Sequence, residues 1–95
     1  MLIGALTVSY RLEGVETLKA KRQVVRGLLD SARNKFRIAA AEVEDLNLIG
    51  NATLGFAAVS NDRRHLASLL QHLKEHLDSR MSYRITDLRE EVFEV

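Results

Sequence analysis

Apolar and polar positions alternate from the start of the chain. Over residues 2–12, Leu2, Leu6 and Val8 share one parity while Ile3 and Ala5 share the other. This period of two, rich in aliphatic and β-branched side chains, predicts a strand that Glu13-Gly14 ends. The period then lengthens. Leu18, Val25, Leu28, Leu29, Ala32 and Phe36 recur at helical spacing, so a helix capped by Thr17 runs to about Phe36. Residues 37–44 predict a second strand, residues 45–51 a turn region containing Gly50-Asn51, and residues 52–60 a third strand. Ser60 or Asn61 is the expected cap of a second helix, with Asp62 in its first turn complementing the helix dipole. Leu66, Leu69, Leu70, Leu73 and Leu77 form that helix's apolar stripe. Residues 83–93 predict a last strand.

The order β-α-β-β-α-β, without a repeat, a low-complexity tract or a linker, predicts one α+β domain over residues 1–95. Its economical form is the split βαβ, ferredoxin-like pattern: a four-stranded antiparallel sheet with two helices on one face. Strands one and three are expected to be central and parallel to each other. Gly4 and Gly55 fall in those strands, where a missing Cβ would let a helix approach closely. The strands are apolar on both faces, since Leu54 and Phe56 alternate with Ala57 and Val59. One face takes the helices. The other is small and apolar, and a homodimer through this helix-free face is expected.

Composition narrows the chemistry. The chain's 95 residues bury about 60–65% of the surface of the unfolded chain, enough for one core but not for a deep enclosed active site. There is no cysteine, which excludes disulfides, thiolate zinc sites and cysteine nucleophiles and fits a reducing compartment. No apolar run is long enough to span a membrane, and the N-terminal stretch reads as a strand rather than a signal peptide. A cytoplasmic location is expected.

Net charge is only +1, but it is unevenly spread. Segment 15–37 holds seven Lys and Arg against two acids, and segment 87–95 four acids against one arginine. Parallel central strands would start both helices at the same sheet edge, where their dipoles and free N–H groups favour anions. Lys19, Lys21 and Arg22 would then sit beside Arg63, Arg64 and His65 as an anion- or RNA-binding cluster. At about 100° per residue, Lys19, Arg22, Arg26 and Arg33 share a stripe that also holds Asp30 and could track a phosphate backbone or simply be solvated. Lys21 lies inside the apolar arc, so it either snorkels to the helix end or pairs with Asp62 across the two helix starts.

Three motifs invite stronger readings. His72-Leu73-Lys74-Glu75-His76 matches H-x-x-E-H, yet it lies on the polar face of a short helix and lacks the larger fold and downstream carboxylate of such zinc sites. Leu54-Gly55-Phe56-Ala57 faintly resembles the third strand of an RNA recognition motif, but Phe56 and Tyr10 both fall in the core parity class. Acylphosphatases share the element order, but Arg11-Leu12-Glu13-Gly14-Val15 does not reproduce their phosphate loop. No catalytic set, metal site or cofactor motif emerges, nor any DNA signature. The reading leans away from an enzyme.

Thr17-Leu18-Lys19-Ala20-Lys21-Arg22, Ala41-Glu42-Val43-Glu44, Ala52-Thr53-Leu54-Gly55 and Val59-Ser60-Asn61-Asp62-Arg63-Arg64-His65 together resemble the bacterial YlxP-like family, a domain of unknown function. The resemblance covers nearly the whole chain. It implies a ferredoxin-like fold, a bacterial cytoplasmic protein and genes near those for a translation initiation factor and a ribosome-binding factor. It implies no established reaction. The family's first helix usually opens S-L-K-E-K-R. Thr17 still caps, whereas Ala20 removes a capping-box acid and leaves this end more positive. The expected function is therefore an accessory protein of translation or ribosome assembly that binds RNA phosphates or an acidic surface. The alternatives are a homodimeric module for a small anionic metabolite and a structural dimer without a ligand.

Overall fold

The computed structural model describes residues 1–79 and 83–95. Its elements are β1 (Leu2–Arg11), α1 (Leu18–Phe36), β2 (Ala39–Glu44), β3 (Asn51–Ser60), α2 (Arg63–Asp78) and β4 (Arg84–Glu94). The sheet order is β2-β3-β1-β4, with every neighbouring pair antiparallel. The ferredoxin-like α+β fold expected from the element order is the fold observed.

One expectation about its directions fails. β1 and β3 are central but antiparallel, paired from Leu2↔Ser60 to Arg11↔Asn51. The β2–β3 hairpin forces this result. The α1 crossover returns the chain parallel to β1, two places away, and the hairpin then reverses it into the gap between them. α1 therefore starts beyond the Arg11–Asn51 end of the sheet and α2 beyond the Leu2–Ser60 end. Ten antiparallel residue pairs separate those ends by roughly 30 Å at 3.4 Å per residue.

Caps set the helix limits. Thr17 accepts a hydrogen bond from the Ala20 amide at 3.0 Å. Arg37 ends α1 in the left-handed conformation (φ 52°), its amide donating to the Arg33 carbonyl at 2.9 Å. The second strand thus begins at Ala39, two residues later than its sequence pattern indicates. At α2 the cap is Asp62 itself, not Ser60 or Asn61. Its Oδ1 accepts from the Arg64 and His65 amides at 2.9 and 3.2 Å, while Ser60 closes the preceding turn on the Asp62 amide.

The helices cover one sheet face. Leu6, Val8, Tyr10, Leu54 and Phe56 meet Val25, Leu28, Ala32, Leu73 and Leu77 in the main core. Leu2, Ala58, Leu66 and Leu70 form a smaller cluster. Tyr10 is fully buried and its hydroxyl donates to the Leu77 carbonyl at 3.2 Å, tying the end of α2 to β1. Gly4 has the expected role, because a Cβ there would lie 2.9 Å from Leu70 Cδ1 on α2. Gly55 does not. It lies on the helix-free face, where a Cβ would come within 2.8 Å of Val43 Cγ1, the residue at the β2 register shift.

Adding one methyl group at Gly4 and at Gly27 has opposite expected outcomes. Gly4→Ala overpacks the helix–sheet contact and should destabilise the chain by about 1–3 kcal/mol. Gly27→Ala, in the middle of α1 with no neighbour near its missing Cβ, should stabilise it by up to about 1 kcal/mol. Urea unfolding of the two variants beside the parent measures both.

Candidate functional site

Lys21 is the least expected of the candidate residues in its surroundings. It sits in the first turn of α1, is only 1% exposed, and donates at 2.5 Å to the carbonyls of both Asp45 and Leu48. Its Nζ also lies 3.0 Å from Glu42 Oε2. That contact is one of charge rather than a directed bond, since Oε2 is buried and accepts no hydrogen bond among the described residues. The ammonium neither snorkels out nor pairs with Asp62, which is engaged in capping α2 at the far end of the sheet. Lys21 is an anchor for the β2–β3 loop.

The loop is held from its other side as well. Asp45 adopts φ 60°, and its Oδ2 accepts from Thr53 Oγ1 at 3.2 Å. Thr53 is buried and in turn lies 3.0 Å from Ser9 Oγ. The register shift between Glu42 and Glu44 makes this possible. Glu42 stays opposite Leu54 on the helix side, facing Lys21, while Glu44 joins Thr53 on the other face. Sequence reasoning missed Glu42, Asp45 and Thr53. The available signal was a lysine at a core position of α1, which demands a buried acceptor set somewhere.

The remaining cations separate into two groups. Lys19, Arg22 and Arg26 are exposed on α1 and make no ion pair among the described residues. Arg33 departs from that stripe, bonding Asp30 and the Ala40 carbonyl. Arg63, Arg64 and His65 are exposed at the start of α2, with Arg63 3.8 Å from Glu94. The two groups do not converge, so the single anion cluster expected from parallel strands does not form.

Parity places the two strand aromatics, whereas the histidine motif departs from a fully solvated face because His76 is half-buried against α1. Tyr10 and Phe56 point into the core and offer no stacking platform. His65, His72 and His76 line a surface groove of about 570 Å³ beside α2. His76 Nε2 is 2.7 Å from Ser31 Oγ on α1, and its ring meets the edge of Phe36. No three His, Asp or Glu side chains among the described residues are placed to share a metal.

The helix-free face is built from five cross-strand rows, of which Asn51–Arg11–Arg84 closes the end nearest the start of α1. Val59–Ile3–Phe93 is apolar, Ala39–Ala57–Ala5–Glu91 and Ala41–Gly55–Thr7–Arg89 follow, and Glu44–Thr53–Ser9–Asp87 is polar. Val59 is 65% and Phe93 44% exposed.

A family model described as protein of unknown function, DUF503, matches residues 3–90, from β1 into β4. The chain belongs to that family. The Lys21 anchor and the α1 stripe both lie within the matched span of this DUF503 chain. No curated protein matches it. Among solved structures it is similar to a de novo designed protein with a ferredoxin fold, at TM-score 0.54 and 12% identity, covering 98% of this chain and 84% of that one. It is also similar to a candidate antibiotic biosynthesis monooxygenase from Deinococcus radiodurans, at TM-score 0.51 and 17% identity, covering 100% and 92%. A protein from Arabidopsis thaliana matches at TM-score 0.52 and 9% identity, covering 98% and 94%. At such identities these likenesses concern the fold alone. No helix among the described residues is long and apolar enough to cross a membrane.

The anchor makes a separable prediction. Lys21→Met leaves two carbonyls and a carboxylate without their cation and should cost about 3–5 kcal/mol. Hydrogen exchange of the residue 45–50 amides should accelerate more than that of the strands. In double-mutant cycles Lys21 should couple strongly to Glu42. Asp62→Ala should cost about 1 kcal/mol as a lost cap and add independently to Lys21→Met.

Proposed function

We propose that this DUF503 chain is a bacterial, cytoplasmic accessory protein of translation or ribosome assembly that contacts RNA phosphates through α1. The observation that carries the reading is the exposed cationic stripe Lys19, Arg22 and Arg26, which makes no ion pair among the described residues. These side chains lie on one exposed side of a 19-residue helix whose first turn contains no acid. The helix dipole adds positive potential at that end. Lys21 is excluded from the contact, because its ammonium is enclosed by the loop it holds.

The geometry favours a polymer over a compact anion. A small phosphorylated metabolite needs converging donors, and the two cationic helix starts lie at opposite ends of the sheet. A stripe that rises about 1.5 Å per residue suits phosphates spaced along a strand. The expected work is binding through the exposed α1 stripe.

Binding to ribosomal subunits and to structured RNA across a salt series tests the proposal. Each neutralised phosphate contributes about 0.7–0.9 to the slope of log affinity against log salt, so three contacts predict a slope of about −2 to −3. Arg22→Glu with Arg26→Glu should abolish binding at moderate salt. Arg63→Glu with Arg64→Glu should leave most of it. Absence of wild-type binding at low salt overturns the proposal. Equal losses in the two double variants would return the site to both helix starts, and binding retained by RNA-stripped ribosomal proteins would redirect the reading to an acidic protein surface.

A further inference from the structure

We infer that the helix-free sheet face is the interface for a second copy of this chain, packed about a two-fold axis that crosses the strands between the Ala57–Ala5 and Gly55–Thr7 pairs. This inference stands on the face itself and is independent of the RNA reading.

Three observations point to a second copy rather than to another partner. The first is relief. The middle rows carry Ala39, Ala41, Gly55, Ala57 and Ala5, so two such sheets can approach closely at the centre. Their side chains form a shallow trough of about 490 Å³ bounded by Val43.

The second is charge. Arg89 lies opposite Thr7 and Glu91 opposite Ala5, two residues apart on the same side of β4. The axis stated above keeps β4 over the partner's β4 and exchanges those two rows. Each Arg89 then faces a Glu91 of the other copy, giving two opposite-charge contacts. Within one chain Arg89 lies 3.7 Å from Glu44 and 3.4 Å from Asp87, while Glu91 makes no ion pair among the described residues. A face that presents both signs in this order is complementary to itself, as an isologous contact requires.

The third is area. Strands about 4.8 Å apart, of ten, ten and eleven residues with a six-residue β2, give a face of roughly 600 Å² in projection. That is comparable to the roughly 800 Å² each partner contributes to a standard stable interface. About this axis Val59, Ile3 and Phe93 at one end of the face come over Thr53, Ser9 and Asp87 of the second copy. Asp87 and Glu91 stand along β4 and Glu44 along β2, with the small apolar residues between the two margins, the usual division into rim and core.

The test is the mass of the purified full chain by light scattering after gel filtration, from low to high micromolar concentration. The expected result is twice the 10.7 kDa of one chain. Ala57→Arg places a charge at the centre and should give a folded monomer by circular dichroism. Val59→Lys, at an already exposed position, serves the same purpose should Ala57→Arg fail to fold. Arg89→Glu and Glu91→Arg should each weaken the dimer at least tenfold, and the two together should restore it. That rescue is something a merely structural role of either residue would not produce. A wild-type monomer at high micromolar concentration overturns the inference. A dimer that survives both Ala57→Arg and Val59→Lys, or that is instead lost in Leu88→Arg on the opposite side of β4, also overturns it. Failure of the charge exchange to restore association overturns the placement of the axis.

Discussion

Every surface of this molecule depends on the antiparallel pairing of β1 with β3. The hairpin leaves β3 only one place, between two strands that already run together, and it must oppose both. The connections that follow β1 and β3 therefore leave from opposite ends of the sheet. One consequence is that positive dipole ends and their neighbouring cations are separated by the full length of the central strands. The same pairing sets five cross-strand rows on the open side and decides which small, apolar and charged residues stand side by side.

Lys21 shows how a buried charge takes on an architectural role. Removing an ammonium from water is costly, and a single carboxylate at an indirect angle does not offset it. Two backbone carbonyls at 2.5 Å supply the remaining interaction. Those carbonyls belong to the β2–β3 loop, so solvating the lysine and ordering the loop are one event. Asp45 links that event to the open face through Thr53 and Ser9. The loop is thus clamped between the helix layer and the sheet surface. Its left-handed Asp45 is tolerated because both its side chain and its carbonyl are engaged.

Much of this architecture was legible from residue periodicity. Six elements, their order, the core leucines of α2 and the inward parity of Tyr10 and Phe56 all follow from periods of two and 3.6. What periodicity does not encode is relative direction. Strand patterns read the same forwards and backwards, and the sense of the central pair comes only from tracing the crossover and the hairpin together. The α2 cap was missed by one or two residues because Ser60, Asn61 and Asp62 are all good cappers and only backbone dihedrals choose among them. Gly55 shares the parity of Ala57 and Val59 and so lies on the open face; what the sequence does not display is the β2 bulge that sets Val43 over it. The partners of Lys21 were hidden for a related reason. Two of its three ligands are main-chain oxygens, and any residue type supplies those.

The two proposed surfaces lie on opposite sides of the sheet and reinforce each other physically. Joining two open faces puts both helix layers outward, so a dimer presents two α1 stripes instead of one. A polyanion long enough to reach both would meet the second stripe at a high effective concentration, and modest single-stripe affinity would rise without any new contact. Lys19, Arg22 and Arg26 supply few contacts per chain, which is weak for one copy and adequate for two. The apolar face that would otherwise be wetted thereby gains a use that the cationic helix alone does not explain.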